Sequence, residues 1–404
     1  MADAMVEGSC EPGFEKVREV FTSSFDKGEV GAGVAVYVDG QAVVDLWGGW
    51  ADGARTRPWQ RDTIVNTFST TKGMTATCAH RLVEEGRLDV DERVATYWPE
   101  FAQAGKQDVT VRHLLNHQAG LPGITAQLAP EKRFDWDTVT TALAAQAPAW
   151  EPGTHAAYHA VTFGYLVGEV VRRIDGRSLG TYFEQEIAEP LGLDFMIGFG
   201  PEHDERCAEI LVPPPEPDGT LSPAAAASAG MARGTGSRTW RAAEIPAANG
   251  HGTAAAVARM YGALARGGDL AGVHVLRPET ISAATVRQEP EAATGSSATG
   301  PGGGDTAGQL AARGPVGITG LPFALGYMVV GDFLALRAAT AGGPTGQPVR
   351  GASAFGHPGA GGSIGAADPV AKVGFGYVMN QMQAGMVGGA HGFNLIAAVY
   401  DCLG

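Results

Sequence analysis

Runs of hydrophobic residues divide the chain into strand-like and helical segments. Residues 33–38 and 41–47 are two β-branched runs on either side of an Asp-Gly pair, which is typical of a tight hairpin. A helix is predicted before these two strands. After Lys72 the apolar positions recur every three or four residues until Gly86, and this spacing predicts a helix. Ser69 therefore lies where strand-like sequence changes to helical sequence.

The rest of the chain follows the same two patterns. Helical spacing predicts helices over 162–175, 179–188, 253–266 and 393–403, and strand-like runs lie at 323–330, 353–357, 363–367 and 373–379. Stretches rich in glycine, proline and alanine predict loops at 212–246, 289–315 and 339–352. The strands thus come from both ends of the chain and most helices from its middle, which predicts an α+β fold.

This division predicts two regions. Residues 12–68 and 320–404 are expected to form an α/β sheet region, an antiparallel sheet flanked by helices. Residues 69–319 are expected to form a mainly helical region with long loops at 212–246 and 289–315. Because pockets tend to form where two such regions meet, we expect the active site in the cleft between them.

Charge and composition narrow the range of partners. The chain has 404 residues and a formal net charge of −14, without a dense run of Lys or Arg, so we expect neither nucleic acid nor an anionic membrane as a partner. No apolar run reaches transmembrane length and the N-terminus lacks a signal-peptide pattern, which predicts a cytoplasmic protein. Cys10, Cys78, Cys207 and Cys402 are scattered, a pattern that favours reduced thiols.

Ser69-Thr70-Thr71-Lys72 is the candidate for covalent chemistry. A serine hydroxyl needs a base within hydrogen-bond reach and donors for the oxyanion. Three residues is close to one helical turn, so Lys72 is expected on the same face as Ser69, near a helix N-terminus that disfavours an ammonium ion. The spacing recurs at Ser24 and Lys27, but in a polar helix, whereas Ser69 opens a helix with an apolar face.

A second candidate nucleophile is Ser363. Gly361-Gly362-Ser363-Ile364-Gly365 fits the G-x-S-x-G pattern of α/β-hydrolases, which requires a strand before the serine and a helix after it. Here an Asp-Pro turn and another strand follow. We therefore interpret the pentapeptide as the glycine-rich start of a strand and predict Ser69 as the nucleophile.

Histidine pairs are the candidates for a metal site. His113 and His117, like His155 and His159, stand four residues apart, but neither pair has the adjacent glutamate of H-E-x-x-H or an obvious third ligand. The sequence predicts no metal and no other cofactor.

Several short motifs, taken together, resemble one known family. They are Trp59-Gln60, Asn66 to Lys72, Tyr97 to Phe101, His113 to Leu121, Glu151 to Tyr158, and Glu189 to Leu193. In combination they resemble the family VIII carboxylesterase branch of the class C β-lactamase superfamily, from about residue 15 to the C-terminus. The resemblance implies a β-lactamase/transpeptidase-like fold and a serine hydrolase that cleaves carboxylic esters through an acyl-Ser69 intermediate.

The resemblance also implies roles for individual residues. Ser69 and Lys72 match the nucleophile and its lysine. Tyr158 matches the tyrosine that begins the second motif, as general base for Ser69 and proton donor to the leaving group. The oxyanion hole would be formed by the backbone N–H groups of Ser69 and Ala360.

Two motifs depart from the β-lactamase pattern. The second motif, Y-x-N, is here Tyr158-His159-Ala160, so its asparagine is absent. The third, K-T-G, is here His357-Pro358-Gly359, and the resemblance implies that His357 and Gly359 contact the substrate. Replacing lysine by histidine removes a permanent cation from the position that meets a carboxylate. We therefore expect a neutral small-molecule ester as substrate.

Three other functions are alternatives to ester hydrolysis. A dedicated acyltransferase, delivering the acyl group to an alcohol or amine, would use the same residues. A β-lactamase or D,D-peptidase is disfavoured by the two altered motifs and by the missing export signal. A silent binding protein on the same scaffold is disfavoured because Ser69, Lys72 and Tyr158 are all present.

Overall fold

A seven-stranded antiparallel sheet is the framework of the computed structural model, which describes residues 5–216, 218–290, 321–340, 350–384 and 388–404, without the side chains of 336–340. In chain order the strands are β1 (Val6–Cys10), β2 (Gly31–Val38), β3 (Gln41–Gly49), β4 (Val65–Asn66), β5 (Phe195–Ile197), β6 (Gly250–Gly252), β7 (Asp269–Leu270), β8 (Val273–His274), β9 (Met328–Val329), β10 (Phe355–Pro358), β11 (Ile364–Asp368) and β12 (Val373–Met379). The large sheet has the order β1-β3-β2-β12-β11-β10-β9, and a smaller one has the order β4-β6-β5.

The helices lie on both faces of the large sheet and fill the middle of the chain. They are α1 (Glu15–Phe25), α2 (Thr71–Glu84), α3 (Val94–Tyr97), α4 (Val111–Leu115), α5 (Trp136–Ala145), α6 (Thr162–Asp175), α7 (Leu179–Phe183), α8 (Glu189–Leu191), α9 (Pro223–Ala232), α10 (Arg238–Ala242), α11 (Ala254–Ala265), α12 (Pro278–Thr285), α13 (Val330–Thr340) and α14 (Ala390–Leu403). With the antiparallel sheet, they give the α+β, β-lactamase-like architecture that was predicted.

Two hydrophobic layers hold the sheet between helices. On one face, Val17 and Phe21 of α1 and Leu395 of α14 pack with the inward-facing valines of β2. On the other face, α11 lies so close to β12 that a Cβ on Gly374 or Gly376 would collide with the helix backbone. This second core extends from α11 through α2, α5 and α6, so the helical region is packed directly against the sheet.

The first element differs from the prediction. The chain begins with strand β1, not with a helix, and β1 pairs antiparallel with β3 at the edge of the sheet. An edge strand with one neighbour exposes most of its side chains, and the three central residues of β1 are exposed. The sequence Val-Glu-Gly-Ser-Cys therefore carries no apolar alternation by which a strand is predicted.

Two other segments also differ. The predicted loop at 212–246 contains α9 and α10; its alanines, glycines and serines form no apolar stripe, so the helices are not visible in the pattern. The predicted strand at 323–330 is reduced to β9, which pairs with Phe355 and Gly356, and to a single bridge between Phe323 and Met328, before α13 begins. Of the predicted loops at 289–315 and 339–352, residues 291–315 and 341–349 lie outside the described residues.

Two further expectations, on membrane-spanning segments and on the cysteines, can be compared with the described residues. None of their helices is both long and apolar enough to cross a bilayer. Cys10, Cys78, Cys207 and Cys402 are all free, in agreement with the expectation of reduced thiols.

Candidate active site

Ser69 lies in a strained turn that joins β4 to α2. The turn is a single 3₁₀ segment, Phe68–Thr70, and Phe68 has a φ of 46°. A left-handed phenylalanine costs on the order of 1–3 kcal/mol, so the surrounding packing must hold it in place. Its ring packs with Ala360 and Met382. The strain turns the backbone sharply and places Ser69, which is 8% exposed, at the start of a buried helix.

Hydrogen bonds from two other segments fix this turn. Thr67 donates from its backbone N–H and from its hydroxyl to the carbonyl oxygen of Gly250, at 2.8 and 3.1 Å. The hydroxyl of Ser363 donates to the carbonyl oxygen of Thr67 at 2.7 Å. The N–H of Gly250 donates to the hydroxyl of Thr71 at 2.9 Å. The small sheet and the large sheet therefore both hold the serine turn.

Lys72 lies one turn along α2 and is fully buried. Its Nζ is 3.2 Å from the Oγ of Ser69. The same nitrogen is 2.7 Å from the carbonyl oxygen of Ala160 and 2.9 Å from that of Ala247. Burial lowers the pKa of Lys72 well below its usual value. The amine is therefore shifted toward its neutral form, in a site that leaves it three hydrogen-bond partners.

The neutral amine fits these three partners. An amine has two N–H donors and one lone pair, and carbonyl oxygens only accept. When Lys72 is neutral, its two N–H groups can donate to the carbonyl oxygens of Ala160 and Ala247 and its lone pair can face the hydroxyl of Ser69, whereas the ammonium form would donate to all three. This arrangement allows Lys72 to receive the serine proton directly.

Tyr158 lies close to both Ser69 and Lys72. Its side chain is 5% exposed, and the Nζ of Lys72 is 4.7 Å from the centre of its ring. Burial raises the pKa of the Tyr158 hydroxyl, and hydrogen bonding to Ser69 partly offsets this rise. The ring stacks against Phe323 with a centroid distance of 6.1 Å. The hydroxyl is therefore protonated at neutral pH and able to donate.

His357 lies in β10, next to Tyr158. The two rings are nearly parallel, at 26°, with centroids 6.1 Å apart. The Nδ1 of His357 donates to the carbonyl oxygen of Pro358 at 2.7 Å. Burial, followed by the nearby Lys72, lowers the pKa of His357 to about 3. The imidazole is therefore uncharged at neutral pH, as the sequence led us to expect.

Gly359 and Ala360 directly follow strand β10, and Gly359 passes very close to the serine turn. A Cβ on Gly359 would collide with the hydroxyl of Ser363 and with the carbonyl oxygen of Thr67. Ala360 begins the 3₁₀ turn Ala360–Gly362 and packs against Phe68. The two predicted oxyanion-hole residues, Ser69 and Ala360, thus lie on adjoining turns, and this close approach requires glycine at position 359.

The two alternative serines have other partners. Ser363 is 1% exposed, donates to Thr67, and its Oγ lies 3.1 Å from the Thr70 hydroxyl. It is followed directly by strand β11, in agreement with its interpretation as a strand start. Ser24 donates to the carbonyl oxygen of Phe21 at 2.7 Å, and Lys27 contacts Ser23 instead. Both are structural hydrogen-bond groups.

The histidines near the site serve as hydrogen-bond partners. The Nε2 of His159 accepts from the N–H of Leu121 at 2.9 Å, and its Nδ1 donates to the carbonyl oxygen of Ala157 at 2.6 Å. The backbone N–H of His159 donates to the Nδ1 of His117 at 3.1 Å. Within the described part of the chain, no three His, Cys, Asp or Glu side chains converge as a metal site.

Two groups of the site were not predicted, the carbonyl oxygens of Ala160 and Ala247. Backbone carbonyls leave no mark on a side-chain motif, which is why sequence patterns miss them. The one visible signal near Ala247 is Asn249, whose amide nitrogen donates to the carbonyl oxygens of Trp240 and Ala243 at 2.9 and 2.6 Å. This asparagine holds the turn that presents the Ala247 carbonyl to Lys72.

Comparisons with known proteins show which family the chain is similar to. The family model described as Beta-lactamase matches residues 15–398. The chain is 36% identical over 404 residues to the esterase/beta-lactamase LipL of Mycobacterium tuberculosis, covering 96% of this chain and 85% of LipL. It is 40% identical to a family VIII carboxylesterase of known crystal structure, with a TM-score of 0.79 and coverage of 98% and 100%. It is also 39% identical to a penicillin-binding protein homologue from Caulobacter crescentus, with a TM-score of 0.81 and coverage of 98% and 100%.

Proposed function

The chain belongs to the Beta-lactamase family, and from this premise we propose that it is a serine esterase that cleaves neutral carboxylic esters through an acyl-Ser69 intermediate. The family resemblance expected from the sequence motifs is thereby confirmed. Two similar proteins, LipL and the family VIII carboxylesterase, carry esterase names, which supports an ester as the substrate class. The observation that carries the proposal is the position of Lys72, which is fully buried with its Nζ 3.2 Å from the Oγ of Ser69.

In the proposed first half-reaction, Lys72 takes the proton from the Ser69 hydroxyl as the serine oxygen attacks the ester carbonyl carbon. The carbonyl oxygen becomes an oxyanion that accepts from the N–H groups of Ser69 and Ala360. Such donors each contribute on the order of 3 kcal/mol to stabilising the transition state. When the carbon–oxygen bond to the alcohol breaks, Tyr158 gives its proton to the leaving alkoxide. Lys72 is now an ammonium ion above the Tyr158 ring. It gives a proton to the phenolate oxygen of Tyr158, so that both side chains return to their starting forms.

In the second half-reaction a water molecule takes the place of the alcohol. It attacks the acyl carbon and loses a proton to the same Lys72–Tyr158 pair. The bond between the acyl carbon and Ser69 then breaks, and the pair returns a proton to the serine oxygen. The proposal assigns the serine proton to Lys72, whereas the family resemblance implied Tyr158. The reason is that burial favours the neutral form of both Lys72 and Tyr158. A neutral amine can accept a proton, and a neutral phenol can donate one.

The neutral ester is favoured over a β-lactam by His357. The imidazole has no charge at neutral pH to pair with the carboxylate that penicillins and cephalosporins carry. We propose the cytoplasm as the location, on the basis of the free cysteines.

The proposal is tested by comparing kcat/KM for p-nitrophenyl butyrate and for a chromogenic cephalosporin, with wild-type protein and with Ser69→Ala as the matched control. We expect the ester to be cleaved far more efficiently than the cephalosporin, and the Ser69→Ala protein to cleave neither. Efficient cephalosporin hydrolysis by the wild type would support a β-lactamase instead. Full ester cleavage by Ser69→Ala would remove Ser69 from the mechanism.

A further inference from the structure

The ring of His357 is held in one tautomer by its own backbone. Its Nδ1 lies 2.7 Å from the carbonyl oxygen of Pro358, and a carbonyl oxygen can only accept, so Nδ1 carries the proton. In a neutral imidazole the other nitrogen, Nε2, then has a lone pair and no hydrogen. The low pKa of His357, about 3, keeps a second proton off the ring at neutral pH.

This Nε2 has no hydrogen-bond partner among the described residues, although it is buried in a side chain that is only 1% exposed. A buried polar atom without a partner costs about 1–3 kcal/mol, and proteins tolerate few of them. Lys72 is already bonded to Ser69 and two carbonyl oxygens, and the hydroxyl of Tyr261, which lies near the backbone of His357, does not reach this nitrogen either. A water molecule or a bound substrate can supply the missing donor.

The position of His357 indicates which part of a substrate supplies that donor. Its ring stacks on Tyr158, the group that in the proposed mechanism protonates the departing alcohol. A substrate group near Nε2 therefore belongs to the alcohol side of the ester and not to its acyl side. A carboxylate at this point would face a lone pair, so two acceptors would meet without a hydrogen between them.

We propose that the Nε2 of His357 accepts a hydrogen bond from the alcohol part of the substrate, so that the enzyme prefers esters of diols or amino alcohols, whose alcohol part carries a hydroxyl or N–H donor. The inference rests on the proposed esterase function and names its substrate class. It makes His357 a specificity-determining acceptor, in addition to its lack of charge.

The test uses two butyrate esters of similar size, 2-hydroxyethyl butyrate and 2-methoxyethyl butyrate, which differ in whether the alcohol part can donate. Their alcohols have similar acidity, and each rate is divided by the hydroxide-catalysed rate of the same ester. For the wild type we expect kcat/KM to favour the hydroxyethyl ester by about tenfold, the effect of one buried hydrogen bond with a satisfied partner.

Two variants separate the acceptor from the shape of the side chain. In His357→Leu, which has no acceptor, the ratio of the two kcat/KM values should fall to about one. In His357→Gln, whose amide oxygen can accept, part of the preference should return. Because each ratio is taken within one protein sample, a loss of folded protein in a variant does not change it.

A ratio near one in the wild type would overturn the inference, and so would a ratio that stays at its wild-type value in His357→Leu. p-Nitrophenyl butyrate serves as the reference, since its alcohol part carries no donor. If the wild type cleaves this reference through Ser69 but does not distinguish the paired esters, the inference fails and the proposed function stands. If it cleaves none of the three esters, the proposed function fails, and the inference fails with it.

Discussion

At the scale of single residues, substitutions of Lys72 test whether this side chain acts as a base or as a positive charge. Lys72→Arg places a permanent cation in the site, because a guanidinium cannot lose its proton. If Lys72 receives the serine proton, kcat/KM for p-nitrophenyl butyrate should fall by at least about 100-fold in Lys72→Arg, as in Lys72→Met, since positioned proton transfer contributes that much. The variants are compared by ester assay, with circular dichroism to check folding. A Lys72→Arg protein that keeps more than about a tenth of wild-type activity would contradict the assignment.

Ser363 provides the matched control for the nucleophile. Its hydroxyl supports the serine turn through Thr67, so Ser363→Ala should lower the free energy of unfolding by about 1 kcal/mol, the contribution of one hydrogen bond. Because it carries no step of the reaction, the same protein should keep ester cleavage within about tenfold of wild type. Urea unfolding and the ester assay measure the two effects. Complete loss of activity in a folded Ser363→Ala protein, together with full activity in Ser69→Ala, would make Ser363 the nucleophile in place of Ser69.

At the scale of elements, the close approach of β10 to the serine turn sets the oxyanion hole. In Gly359→Ala the new methyl group would collide with the backbone oxygen of Thr67, so Ala360 must move away from Ser69. Losing one correctly placed donor lowers kcat by about 100-fold or more, and we expect a loss of that size. Steady-state kinetics with p-nitrophenyl butyrate measure it.

Gly230 is the matched control for this substitution. It lies in α9 with open space around its Cα, and alanine is the better helix former, so Gly230→Ala should leave activity intact and stability equal or slightly higher. A Gly359→Ala enzyme as active as Gly230→Ala would show that this strand does not position the oxyanion donors.

The elements also show where sequence patterns succeed and where they do not. The hairpin of β2 and β3 was predicted from two β-branched runs joined by an Asp-Gly pair, and the helices α2, α6 and α11 from apolar residues at helical spacing. Strand β1 and helix α9 were missed, because an exposed edge and an alanine-rich helix carry no such period. In the site, the sequence predicts side chains such as Ser69 and Lys72. It does not predict the carbonyl of Ala247, which is placed by tertiary packing alone.

At the scale of the whole molecule, buried neutral histidines predict sensitivity to mild acid. Burial lowers the pKa of five of them: to about 4 for His80 and His159, to about 3 for His251 and His357, and well below the usual value for His117. An unfolded histidine has a pKa near 6.5, so below pH 6.5 the unfolded chain binds more protons than the folded one. Stability should therefore fall as the pH drops from about 6.5 toward 4.

Each of these histidines contributes a loss of up to about 2 kcal/mol at pH 5. Glu244 and His274, whose pKa values are raised, act in the opposite direction, but they are two groups against five. The carboxyl groups with lowered pKa values lose their contribution mainly below about pH 4.5, so they add little to the difference between pH 7.5 and pH 5. The urea midpoint should thus be clearly lower at pH 5 than at pH 7.5. Equal midpoints would mean that these side chains are not held neutral in the folded protein.

The central claim is the ester bond to Ser69, and its most direct test is the mass of the protein during turnover. Wild-type protein mixed with p-nitrophenyl butyrate and quenched in acid within one turnover should gain the mass of one butyryl group, and peptide mapping should locate that group on the peptide that carries Ser69. Ser69→Ala should show no such gain, whereas Ser363→Ala should show it. A butyryl group found on another residue, or ester turnover with no adduct at any quench time, would contradict the account.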